Sequence, residues 1–99
     1  LPKRPTYLIC GMLNTKDISG YLSPLRAVSE TLFSVSIPNE VNTLSADDTA
    51  RNAAAVGFDA HSAQTVDAAL HAISVQAPHA RIVICGSLYL AGMILRQNR

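Results

Sequence analysis

Two stretches of this sequence end in nearly the same phrase, Ile9-Cys10-Gly11-Met12-Leu13 and Ile84-Cys85-Gly86-Ser87-Leu88, and each passes from apolar residues into polar ones. Lys16 and Asp17 follow the first phrase and Ser87 stands in the second, so an ammonium, a carboxylate and a hydroxyl lie just past two apolar runs. Such a set can hold an anion. Lys16 supplies one charge-assisted hydrogen bond and the Ser87 hydroxyl another, and a helix beginning at Ser87 adds free backbone N–H groups near Leu88 and Tyr89. A carboxylate or a phosphate is the natural guest. The plainer alternatives are a solvated loop lysine at Lys16 and simple helix caps at Asp17 and Ser87, although a cap and a ligand contact can coexist at Ser87. Asp17 reads as a helix cap or a secondary contact, and Tyr89 as a half-buried packing residue or a binding one.

Other chemistry finds less support. His61, His71 and His79 have no metal-ligand spacing to one another or to Cys10 and Cys85, so no metal site is predicted. Neither the phosphate-loop pattern nor the dinucleotide pattern occurs: Gly11 is followed by Met12-Leu13 without a second glycine, and Lys16 is followed by aspartate. No nucleophile stands beside a base, and no acid and base pair emerges, so no catalytic residue is assigned within the chain.

The elements that must position these groups follow from periodicity. Thr6 to Gly11 is a short, continuous apolar run, the pattern of a strand covered on both faces. Asp17 caps a helix with Ile18, Leu22, Leu25 and Val28 at helical spacing, which Pro24 bends or shortens. Thr31 to Ile37 is β-branched and aromatic and stops at Pro38-Asn39. Ser45 with Asp48 three positions on opens an alanine-rich helix that ends at Gly57, and Phe58 to His61 is a brief edge strand. Thr65 starts a third helix with Val66, Ala69, Leu70 and Ile73 on one face, and Pro78 stands beyond its end. Arg81 to Cys85 is a buried strand, and Gly86-Ser87 turns into a last helix through Arg96. Strand and helix in alternation predict a three-layer, Rossmann-like α/β domain with a mostly parallel sheet in the order 3-2-1-4 and helices on both faces. The switch point then lies between the first and fourth strands, and Lys16 and Ser87 face one crevice there.

The 99 residues predict one domain, 1–99, and 48% hydrophobic against 15% charged residues can build a two-sided core. A net charge of +1, from 8 basic and 7 acidic side chains spread along the chain, gives no footprint for nucleic acid or an anionic membrane surface. No apolar run reaches the roughly 20 residues of a membrane span. A soluble, cytoplasmic chain is expected, with Cys10 and Cys85 as small, reduced core residues. Residues 1–5, Leu-Pro-Lys-Arg-Pro, read as an extended connector, and the start without methionine points to a domain cut from a longer protein.

Gly11 with Lys16-Asp17-Ile18, and Gly86-Ser87-Leu88-Tyr89-Leu90-Ala91-Gly92 near the end, resemble the C-terminal domain of folylpolyglutamate synthase and dihydrofolate synthase, in the Mur ligase superfamily. The resemblance covers almost the whole chain. It implies an ATP-dependent ligase that joins L-glutamate to a folate or dihydropteroate carboxyl group through an acyl phosphate. In such an enzyme an N-terminal domain of the same polypeptide holds ATP and Mg²⁺, and this domain brings the amino acid, so alone it is expected to be inactive. Carried over by motif, Lys16 pairs with a glutamate carboxylate, and Ser87 with the backbone at Leu88 and Tyr89 holds a carboxylate at the helix mouth. Residues 38–44 lack the arginine that the family often carries there. The rival reading is a non-catalytic, Rossmann-like ligand-binding or regulatory module.

Overall fold

The computed structural model describes residues 4–14 and 17–86. Four strands, β1 Thr6–Gly11, β2 Thr31–Ser34, β3 Asp59–Ser62 and β4 Arg81–Gly86, form one sheet in the order β3-β2-β1-β4. Every neighbouring pair is parallel. The helices are α1 Ile18–Leu22, α2 Ala46–Ala55 and α3 Val66–Gln76. This is the predicted order and the predicted α/β Rossmann-like class. The expected last helix lies outside the described residues.

Side-chain alternation on the strands divides the interior into two layers. Leu8 and Cys10 of β1 and Leu32 of β2 pack with Ile18 and Leu22 of α1, Ala53 of α2 and Phe58. Ile9 and Phe33 point the other way and pack with Val66, Ala69 and Ile73 of α3. Neighbouring residues on a strand face opposite sides of a sheet, so the continuous apolar run of β1 fills both layers at once. Complete burial of side chains of this size contributes about 1.5–3 kcal/mol each, and Leu8, Ile9, Leu22, Leu32 and Ile73 are all fully enclosed.

The predicted caps form. The Ser45 hydroxyl accepts the Asp48 N–H at 3.0 Å, and the Thr65 hydroxyl accepts the Ala68 N–H at 3.0 Å. Gly57, just beyond α2, takes φ +103°, a conformation in which an L side chain is strained.

Four expectations need correction. The first helix is regular only to Leu22 and continues as a 3-10 turn, Ser23–Ala27, because Pro24 has no N–H to extend the α pattern. Val28 is therefore exposed rather than part of the apolar stripe. Regular pairing in β2 ends at Ser34, although Val35 and Ile37 remain buried under α3. β3 spans Asp59–Ser62, one residue later than expected, with Phe58 in the core below α2. β4 extends to Gly86, yet Ile82 and Val83 are 36% and 40% exposed where a buried strand was predicted. Branching and hydrophobicity are the same on an edge strand as on a central one, so composition alone does not separate them.

Candidate functional site

The site is built where β1 and β4 end together. Their register runs from Thr6 beside Arg81 to Gly11 beside Gly86, so both chains leave the sheet at the same level. Helix α1 ties these ends. Its Tyr21 hydroxyl accepts the Gly86 N–H at 2.9 Å, while the Tyr21 N–H donates to the Asp17 carbonyl at 3.0 Å. The Asp17 carboxylate accepts the Gly20 N–H at 2.9 Å, which satisfies an orphan donor of the first turn and gives Asp17 the capping role predicted for it.

The 38–44 loop pairs with the residues that follow β1. Leu13 bridges Thr43 in antiparallel fashion, the Leu44 N–H donates to the Met12 carbonyl at 2.8 Å, and the Asn14 N–H to the Asn42 carbonyl at 2.6 Å. Thr43 Oγ1 accepts the Ile37 N–H at 2.8 Å and donates to the Leu44 carbonyl at 2.9 Å, which locks the loop to the end of β2. The 38–44 segment is thus joined directly to the loop leaving β1.

Lys16, Ser87, Leu88 and Tyr89 lie outside the described residues. Their described chain neighbours, Asp17 and Gly86, are both hydrogen-bonded to Tyr21 and so belong to one end of the sheet. Tyr21 is the residue that sequence reasoning missed. Its i+4 spacing from Asp17 is a local signal, but its partner Gly86 is remote in sequence. Met12, in the loop that follows β1, buries its side chain in the core with Cys10.

The histidines have the surface roles expected of them. His61 stacks on Phe33 with ring centroids 5.1 Å apart and approaches the Asp59 carboxylate at 3.1 Å, and His71 and His79 are exposed. Among the described residues no three His, Cys, Asp or Glu side chains gather as a metal site, and no helix is long and apolar enough to cross a membrane. An open cavity of about 710 Å³ lies at the opposite end of the sheet, between Arg4 and Arg26. Both guanidiniums there are already engaged, Arg4 with the His79 carbonyl and Arg26 with the Ser29 carbonyl and the Phe58 ring. A second cavity of about 490 Å³, lined by Ser36, Ser45, Asp47, Ser62 and Gln64, flanks the start of α2. Neither cavity is lined by Gly11 or Gly86.

Two thiols lie under the mouth. Cys10 and Cys85 are register partners and both are free, Cys10 buried and Cys85 half-buried. The hydrogen bond from Cys10 holds the Cys85 thiol below its ordinary value, against burial, which pushes the other way. Cys10 is pushed far up by the same bond, by burial and by the negative charge on Cys85. Burial also raises the Tyr21 phenol, which the Gly86 N–H opposes and the two thiols reinforce.

These directions set a pH dependence. As pH rises toward the ordinary thiol value, about 8.5, the folded chain gives up the Cys85 proton before the unfolded chain does, so stability rises with pH. Above it, folded Cys10 keeps a proton that the unfolded chain gives up, so stability falls. Calorimetry of the full chain from about pH 7 to about pH 10 is expected to show a maximum in Tm near the ordinary thiol value. Cys85→Ala should remove the rising limb, and a profile unchanged by that substitution would contradict the assignment.

These observations define an open, parallel α/β domain of the Rossmann-like class, in which β1 and β4 end side by side at the switch point of the strand order. Solved structures of the same fold include Mycobacterium tuberculosis folylpolyglutamate synthase complexed with ADP, at TM-score 0.72 and 16% identity over 96% of this chain. A second structure of that enzyme, complexed with ADP and AMPPCP, gives TM-score 0.75 and 24% identity over 95% of the chain. Escherichia coli FolC in complex with DHPP and ADP gives TM-score 0.69 and 21% identity over all of it. The chain spans only 23% or 24% of the length of these structures. No family model matches the sequence, and no curated protein matches it.

Proposed function

We propose that this chain is the amino-acid-binding C-terminal domain of an ATP-dependent folate glutamate ligase of the folylpolyglutamate synthase and dihydrofolate synthase type. The observation that carries the reading is the likeness of fold over nearly the whole chain to three structures of such enzymes. The mouth between β1 and β4 agrees with it, because the two segments that carry the resemblance both adjoin that mouth.

The domain's part is to present L-glutamate. Lys16 pairs with a glutamate carboxylate, and the Ser87 hydroxyl with the N–H groups at Leu88 and Tyr89 holds a carboxylate at the start of the following helix. This leaves the amino group free to attack an activated folate or dihydropteroate carboxyl; a C–N bond forms, the amine gives up a proton and phosphate departs. Closure of the domain against the N-terminal domain excludes water from that activated group. ATP with Mg²⁺ would supply the activation. The residues of this chain do not fit that pair: the sequence has no phosphate loop, and the described residues offer no carboxylate cluster for a hard cation. The nucleotide is therefore assigned to the N-terminal domain.

The test is an assay of the full polypeptide with ATP, labelled L-glutamate, and dihydropteroate or a folate. ADP release matched by label in the pterin product is expected. A full-length protein that folds but joins glutamate to neither acceptor would contradict the ligase reading and favour a non-catalytic ligand-binding module.

A further inference from the structure

Tyr21 is hydrogen-bonded to both segments that the proposed glutamate site draws on. Its hydroxyl accepts the Gly86 N–H at 2.9 Å, and its own backbone N–H donates to the Asp17 carbonyl at 3.0 Å. Asp17 follows Lys16 in the chain, and Gly86 precedes Ser87. One residue therefore anchors the backbone next to each proposed carboxylate ligand.

Local structure fixes the direction of that anchor. The Asp17 carboxylate folds over the first turn of α1 to accept the Gly20 N–H at 2.9 Å, and it lies so close to Gly20 that any Cβ there would collide with it. This cap sets the phase of the helix, and so the heading of Tyr21, the next residue. Ile18 and Leu22 are buried in the core and hold α1 against the sheet. At the other end Gly86 takes φ +76°, a conformation open to glycine, and gives its N–H to the tyrosine. Burial pushes the Tyr21 phenol up, against the pull of the Gly86 N–H. The hydroxyl is thus neutral near pH 7 and puts no negative charge beside an incoming carboxylate.

We propose that Tyr21 is a positioning residue of the glutamate site: through Gly86 it holds the segment after β4 at the spacing from the Lys16 loop that one shared carboxylate requires. The inference rests on the ligase reading and adds to it a residue that the resemblance does not carry. No contact with substrate is asked of the phenol.

The experiment assays the full polypeptide with Tyr21→Phe, which keeps the ring and removes only the acceptor. The Gly86 N–H is exposed and turns to water, so the fold survives. Glutamate KM is expected to rise about 3- to 10-fold, while kcat and the ATP KM stay within about twofold of their original values. Tyr7→Phe is the control. It also loses a phenol hydrogen bond, to Gln76 at 3.3 Å, but Tyr7 lines the cavity at the opposite end of the sheet, and its glutamate KM should not move. In the Ser87→Ala background the effect of Tyr21→Phe should shrink, because the hydroxyl that the tyrosine places is gone. A ligating enzyme whose glutamate KM ignores Tyr21→Phe, or in which the two substitutions multiply independently, would overturn this inference alone. A wild-type enzyme that joins no glutamate would overturn the ligase reading and this inference with it.

Discussion

Lys16→Ala in the full ligase is expected to raise the glutamate KM roughly 10- to 150-fold, because a hydrogen bond to a charged group contributes about 1.5–3 kcal/mol. Ser87→Ala removes a neutral donor and should raise it less, about 3- to 15-fold, since the backbone N–H groups of the helix start remain. The split between constants matters more than the size. A carboxylate far from the reacting amine is held equally in the ground and transition states, so KM moves while kcat stays near its original value. The ATP KM should not move, since the nucleotide is assigned to the N-terminal domain. Lys16→Arg is expected to recover only part of the loss, because a planar guanidinium does not reproduce a point charge at the same reach.

Gly86→Ala should be the most damaging small substitution near the mouth. Its positive φ alone costs an alanine about 1–2 kcal/mol. The new methyl would also stand 2.5 Å from the Gly11 carbonyl oxygen, a backbone atom on the paired strand, so β4 must move away from β1. Adding an overpacking cost brings the loss to on the order of 3 kcal/mol, a fall in Tm of roughly 12–24 °C for a chain of this length. Gly57→Ala is the natural control. It also has positive φ, but the nearest atom its methyl meets is Arg26 Nε at 3.3 Å, the movable end of a side chain. Its loss should be about half as large or less. Equal losses at the two positions would mean that the close approach of β1 and β4 is not the source of the effect.

Much of this architecture is legible in the sequence because it depends on local chemistry. The Ser45 and Thr65 caps, the break at Pro24 and the apolar stripe of α3 each involve residues within one or two turns of one another. The sheet order follows from alternation, since parallel neighbours require crossovers and two strands on one side of β1 leave the other side for β4. What stayed hidden is non-local. Nothing near Tyr21 announces a partner 65 positions away, and nothing in Asn42-Thr43-Leu44 announces that it pairs with the loop after β1. Polar residues follow Met12, and nothing near it announces that its side chain turns back toward Gly86 into the core. The register of Cys10 with Cys85 could have been suspected from the repeated Ile-Cys-Gly phrase, because strands that end in the same phrase and pair in parallel bring like residues side by side.

The central claim is that one carboxylate of the incoming amino acid is shared by a lysine leaving β1 and a serine leaving β4. A double-mutant cycle on the glutamate KM of the full enzyme measures that sharing, because groups that act on the same atom couple and distant ones do not. The account predicts that Lys16→Ala combined with Ser87→Ala raises KM clearly less than the product of the two single effects. Effects that multiply independently, or a KM that neither substitution moves, would contradict it.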